Sequence, residues 1–147
     1  MSKLSNQKET IVDYQSVVSK KKLKKIFKYI DPAEEVDYCP VRDIFSVVSD
    51  KWSVLIIGFL GQGETIRFNE LKKMIQGISS KILSERLKRL ERDGYVRRKV
   101  YAQVPIKVEY NLTSLGHSYL VQLLSFGDWI EKFAPQILEN RKIFGQK

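Results

Sequence analysis

Gly77-Ile78-Ser79-Ser80-Lys81-Ile82-Leu83-Ser84-Glu85-Arg86-Leu87-Lys88-Arg89-Leu90-Glu91-Arg92-Asp93-Gly94-Tyr95-Val96-Arg97-Arg98-Lys99-Val100 is the stretch that decides the fold. Leu83, Leu87 and Leu90 recur at i, i+4 and i+7, which places them on one stripe of a 3.6-residue helix, and that stripe is expected to face a core. Lys81, Ser84, Glu85 and Lys88 then fall on the opposite side. Ser79 or Ser80 stands where an N-cap would accept a hydrogen bond from the first free backbone N–H groups. Asp93-Gly94 ends the helix, because glycine accepts the left-handed conformation that closes a last turn. Two runs rich in β-formers follow: Val96 and Val100 in the first, then Val108, Tyr110 and Leu112 in the second, each with period-two alternation. Tyr101 to Ile106, with Pro105, connects them as a hairpin. Arg97, Arg98, Lys99 and Lys107 lie between the apolar residues or beside the loop, directed at solvent or at a phosphate backbone.

Working upstream, Arg67-Phe68-Asn69-Glu70-Leu71-Lys72-Lys73-Met74-Ile75 repeats apolar residues at 68, 71, 74 and 75 and predicts a second helix. Gln76-Gly77-Ile78 separates the two helices by a short glycine-containing turn, which is helix-turn-helix spacing. The alternative on periodicity alone is an ordinary helical hairpin packed on a small sheet. Charge favours a nucleic acid: residues 51–110 carry 13 Lys or Arg against 6 acids, in a chain of net charge +9. A basic surface gathered on one helix and one hairpin is the footprint of a polyanion partner, and small hydroxyl side chains let a backbone approach a duplex while Lys and Arg meet phosphates or guanine edges.

Taken together, Cys39-Pro40-Val41, Asp50-Lys51-Trp52-Ser53-Val54-Leu55-Ile56-Ile57, Arg67-Phe68-Asn69-Glu70-Leu71, Gly77-Ile78-Ser79, the run Leu83 to Val96, Val104-Pro105, Val108-Glu109-Tyr110-Asn111-Leu112-Thr113 and Leu115-Gly116 resemble the HxlR-type winged helix-turn-helix regulators, of the MarR-like superfamily. The resemblance runs in unbroken order from about Tyr38 to Glu131. It implies a dimeric, DNA-binding transcriptional regulator. It also implies a role for Cys39, because several members of that family use a cysteine before this proline as a sensor of oxidants or electrophiles.

The residues around Cys39 leave two readings open. Pro40 favours a first helical position, so Cys39 adjoins an N-terminus whose dipole lowers a thiol pKa. Glu34, Glu35 and Asp37 would raise it, and a lone buried cysteine is often a small apolar residue. With one cysteine in the chain, a switch would use a Cys39 to Cys39 bond across a dimer, a mixed disulfide with a small thiol, or alkylation.

The flanks complete the organisation. Lys20-Lys21-Lys22-Leu23-Lys24-Lys25-Ile26-Phe27-Lys28-Tyr29-Ile30 predicts a basic helix, either an arm for a neighbouring minor groove or an amphipathic helix packed on a dimer partner. Residues 1 to 15 are polar enough to be disordered. Val41 to Val48 and Lys51 to Leu60 read as two helices, the second ended by Gly61-Gln62-Gly63, with Trp52, Leu55, Ile56 and Phe59 as its buried stripe; Trp52 could instead line a ligand cavity. Thr113 is the expected N-cap of a last helix whose apolar residues, Leu115 through Phe133, run until Pro135. Such a helix has more apolar face than one small domain covers. In a two-fold dimer it would pack against its mate and set the reading helices about 34 Å apart.

The expected fold class is therefore α+β, mostly α: a winged helix-turn-helix with a two-stranded wing and added N- and C-terminal dimerisation helices. The expected domains are an N-terminal extension (1–36), the DNA-binding domain (37–112) and a dimerisation helix with tail (113–147). Double-stranded DNA and a second copy are the expected partners, with a small-molecule or electrophile inducer as the signal. The expected DNA contacts are Ser79, Ser80, Lys81, Ser84, Glu85, Lys88, Arg97, Arg98, Lys99 and Lys107, and the candidate sensor is Cys39. No catalytic residue, metal or cofactor is expected, since one histidine, His117, and one cysteine assemble no catalytic or ligand set. Without an apolar signal core or a spanning run the protein reads as cytoplasmic. A winged-helix module that binds proteins, or nucleic acid without sequence preference, is the alternative.

Overall fold

The computed structural model describes residues 21, 40–63 and 65–146, without the side chains of Pro40 and Arg42. The expected N-terminal extension, the basic helix at 20–30 apart from Lys21, and Cys39 lie outside the described residues. In chain order the elements are α1 (Pro40–Val48), α2 (Lys51–Leu60), β1 (Ile66–Arg67), α3 (Phe68–Met74), α4 (Ser80–Arg92), β2 (Val96–Tyr101), β3 (Lys107–Leu112) and α5 (Ser114–Gly145). The chain divides into two units, residues 1–45 and 46–147, and the second contains the core and the site.

That core forms where α4 meets α2, α3 and the sheet. Leu83, Leu87 and Leu90 of α4 are 0%, 2% and 0% exposed, so the predicted stripe is the buried one. Each such leucine contributes roughly 1.5–3 kcal/mol by leaving water. Ser79 is the cap of α4, its hydroxyl accepting from the Ile82 N–H at 3.1 Å. Gly77 and Gly94, at φ +82° each, make the left-handed turns before and after this helix, where a Cβ would clash with the backbone. In α3, Glu70 accepts from the Arg67 N–H at 3.0 Å, Leu71 is buried, and Ile75, just past the helix end, turns into the core in an extended conformation. Met74 instead lies exposed.

α2 is rotated from its expected orientation. Ser53, Ile56, Ile57 and Leu60 are its buried residues, whereas Trp52, Leu55 and Phe59 are half-buried at the margin of the core. The reason is a polar tether. Asp50 caps α2, accepting from the Ser53 N–H at 3.0 Å and the Ser53 hydroxyl at 3.2 Å. The same Oδ2 accepts from Arg86 Nε of α4 at 2.8 Å, which turns the Ser53 side of α2 toward α4.

The sheet has three antiparallel strands in the order β1-β3-β2. The expected hairpin is its β2–β3 part, with Val96 opposite Leu112 and Tyr101 opposite Lys107. β1 is an added strand of two residues, Ile66 opposite Tyr110 and Arg67 opposite Glu109; it takes Arg67 out of the helix predicted to begin there.

Thr113 caps α5, accepting from the Gly116 N–H at 3.1 Å, and its own hydroxyl donates to the Gly94 carbonyl at 2.5 Å. One side chain thus starts α5 and fastens it to the turn after α4. The expected end of this helix at Pro135 is corrected: α5 continues through Pro135 to Gly145. A proline removes one N–H and crowds the carbonyl four residues back, and the hydrogen-bonded turns on either side carry the helix across it. No helix among the described residues is long and apolar enough to cross a membrane.

Candidate nucleic-acid interface

With one face of α4 packed on the core, its opposite face is open. Ser79, Ser80, Lys81, Glu85 and Lys88 are exposed and Ser84 is half-buried. The Ser79 hydroxyl accepts the cap bond and keeps its proton for an outside acceptor. Not every cation of the helix joins this surface: Arg86 is drawn inward by Asp50, with side-chain exposures of 21% and 23% for the pair. In the last turn, Arg92 is bound to the C-cap Asp93 at 2.6 Å.

Strand alternation divides the basic residues of β2 between two faces. Arg98 shares the helix-facing side with buried Val96, stands opposite Tyr110, and lines a cleft of about 230 Å³ with Ser84, Leu87, Lys88 and Glu91. Here the structure brings together three expected site residues, Ser84 and Lys88 from the helix and Arg98 from the strand. Arg97 and Lys99 point from the other face, opposite Asn111 and Glu109 respectively. All three β2 cations are exposed.

Lys107 is also on that outer face, and it is engaged. Its Nζ lies 2.5 Å from Glu109 Oε1 and 4.7 Å from the Tyr101 ring centre. Lys99 Nζ lies 4.9 Å from the same ring. The Lys107 ammonium first, then the Tyr101 hydroxyl hydrogen-bonded to it, holds the Glu109 carboxyl below its ordinary range. Sequence reasoning placed Lys107 on the surface and passed over Glu109 and Tyr101. The available signal was the pairing register of a short hairpin, which sets residues 99 and 101 against 109 and 107.

Two further features frame this surface. His117 adjoins the start of α5 with Nδ1 2.9 Å from the Thr113 carbonyl, a local hydrogen bond of an exposed side chain. Further along, α5 leaves large apolar side chains in solvent: Leu124, Phe126, Trp129 and Ile130 are 60%, 58%, 50% and 44% exposed. Phe126 and Trp129 stack with ring centres 5.8 Å apart. Between α2 and α5 an apolar groove of about 310 Å³ is lined by Val54, Leu55, Gly58, Phe59, Leu120 and Leu124 among others.

Comparison with known proteins agrees with this arrangement. Residues 47–138 match the HxlR-like helix-turn-helix family. The HTH-type transcriptional regulator YtfH of Escherichia coli (strain K12) is 40% identical over 105 residues, 71% of this chain and 82% of that protein. Among solved structures, the transcriptional regulator ytfH of Salmonella typhimurium is similar with a TM-score of 0.66 at 39% identity, over 73% of this chain and 95% of that one. The reduced form of the transcriptional regulator YodB of B. subtilis is similar with a TM-score of 0.57 at 37% identity, over 65% and 94%, and YodB is also known after diamide treatment. The exposed polar face of α4, the hairpin beside it and these matches lead to one assignment: the chain belongs to the HxlR-like helix-turn-helix family of transcriptional regulators.

Proposed function

We propose that the protein acts as a homodimer that reads a promoter or operator by inserting Ser79 to Lys88 of each subunit into successive major grooves. The exposed basic residues Arg97 to Lys99 lie along the flanking backbone. The observation that carries this reading is the open face of α4, polar and basic, beside the exposed cations of β2. In this reading residues 37–112 are the DNA-binding domain and residues 113–147 the dimerisation helix with its tail. Support for the dimer comes from α5, whose apolar side chains from Leu124 to Ile130 stay in water in a single chain.

The signal in this proposal is an oxidant, an electrophile or another small molecule. Cys39 is its site, and a change there or in the dimer interface tilts the two reading heads. An ångström-scale shift misplaces base contacts worth ~1–3 kcal/mol each. The support is that YodB, at 37% identity, has been studied in reduced and diamide-treated forms.

Binding of the purified protein to its own upstream intergenic DNA, against a random duplex of equal length at physiological salt, tests the first part. The expected preference is ~10³-fold or more. Equal, salt-sensitive binding to both would favour a protein-interaction or non-specific nucleic-acid module. Repeating the measurement with diamide tests the second part. Binding is expected to fall in the wild type and to persist in Cys39→Ser; an identical response in both proteins would rule out thiol sensing at Cys39.

A further inference from the structure

We propose that Glu109 is the positioning residue of the wing: it takes up Lys107 as an internal counter-ion and orders Tyr101, so that Lys99 is the cation presented to a DNA phosphate. This inference rests on the DNA-binding reading and divides the work among its basic residues.

Four side chains of the outer sheet face converge. Lys107 Nζ is 2.5 Å from the Glu109 carboxylate, and the two side chains are only 24% and 12% exposed. Tyr101, opposite Lys107 on the same face, acts after Lys107 to favour the ionised form of the same carboxylate. Lys99 and Lys107 approach the Tyr101 ring at 4.9 and 4.7 Å. Register makes the group possible, since Lys99 stands opposite Glu109 and Tyr101 opposite Lys107, and Arg67, opposite Glu109 on the other edge, adds a second positive charge acting on the carboxylate.

The consequence is a difference between two lysines of one hairpin. Lys107 and Glu109 form a largely covered pair with no net charge, so an approaching phosphate gains little from it. Lys99 is exposed, and among the described residues no carboxylate lies within ion-pair distance of its ammonium. Its partner is the face of an aromatic ring, which restrains a cation without neutralising it. Glu109, an acid in the middle of a surface meant for a polyanion, thus serves that surface by fixing the ring over which Lys99 is held.

The salt dependence of binding to duplex DNA separates these roles, because each phosphate neutralised adds about 0.9 to the slope of log affinity against log salt. Lys99→Gln is expected to reduce the slope by about 0.9, or about 3.5-fold less change in affinity over a fourfold change in salt. Glu109→Gln is expected to raise it by a similar amount, because Lys107 is released. The double variant Lys107→Gln/Glu109→Gln replaces a neutral pair by a neutral pair whose amides still hydrogen-bond each other and Tyr101, so Lys99 stays charged over the ring and the wild-type slope is expected to be kept. If the double variant loses as much slope as Lys99→Gln, and Glu109→Gln loses none and gains none, Lys107 is the phosphate contact and the proposal is overturned. Amide exchange without DNA gives a second readout: β2 and β3 amides are expected to exchange several-fold faster in Glu109→Gln, and unchanged exchange would overturn the positioning role. Failure of the DNA-binding reading itself shows differently, as a wild-type protein without a salt-dependent slope.

Discussion

α4 and α5 are both amphipathic helices of the same unit, and they dispose of their apolar faces in opposite ways. In α4 the stripe of Leu83, Leu87 and Leu90 is finished by α2, α3 and the sheet, leaving a polar face in solvent. In α5 Leu120 and Leu123 reach the core, but Leu124, Phe126, Trp129 and Ile130 stay largely in water. A helix whose apolar side is satisfied offers its polar side to a polar ligand. One whose apolar side is not satisfied offers half of an interface.

Substitutions on each face in turn separate the two roles. Leu87→Ala is expected to destabilise the protein by about 3 kcal/mol in urea unfolding, through the cavity left in a packed core, with the oligomeric state unchanged. Trp129→Glu is expected to leave that core intact, to give monomers by light scattering, and to weaken operator binding on the order of 100-fold as one half-site is lost. Were Trp129→Glu to destabilise the chain as Leu87→Ala does while the protein remained dimeric, the exposed face of α5 would not be the interface.

A smaller effect tests how α4 is aimed. Asp50→Ala removes the cap of α2 and the partner of Arg86 together, and is expected to cost about 2 kcal/mol. Combined with Arg86→Ala in a double-mutant cycle, the two losses should fall short of additivity by about 1 kcal/mol. Additive losses would mean that Asp50 acts only as a cap.

The smallest effect concerns the seat of α5. Tyr119 donates its hydroxyl proton to the Val48 carbonyl and stacks at a tilt on Tyr95, ring centres 5.6 Å apart. Burial, and then the neighbouring Tyr95, push its pKa up from 10.0 to about 12. A folded-state pKa above the unfolded one means stability fully present below pH 10.0 and lost as pH rises toward 12. Alkaline titration of unfolding is expected to show this loss in the wild type and less of it in Tyr119→Phe. Equal curves would place the alkaline sensitivity elsewhere.

Much of the helix-turn-helix and hairpin was legible because their signals are local. The stripe of α4, its serine cap, the two glycines that bound it and the alternation of β2 and β3 each depend on residues within a few positions of one another. The rotation of α2 was not legible, since Trp52, Leu55, Ile56 and Phe59 make as regular a stripe as Ser53, Ile56, Ile57 and Leu60. Asp50 and Arg86, 36 residues apart, choose between them. β1 escaped notice because two residues carry no period, and Pro135 misled because helix propensity says nothing of turns already closed on both sides. Of the candidate interface, the types of residue were readable and their partners were not: Arg98 and Lys99 are neighbours in the chain and lie on opposite faces of the sheet.

By itself, then, the sequence determined most of the elements, the family and a basic polar surface on one helix, because periodicity, caps and charge act over a few residues. Only the tertiary structure decided which cations are already matched by a carboxylate, which stripe of α2 is buried and which apolar face stays open. Those depend on contacts between residues distant in the chain, whose energies no local pattern records.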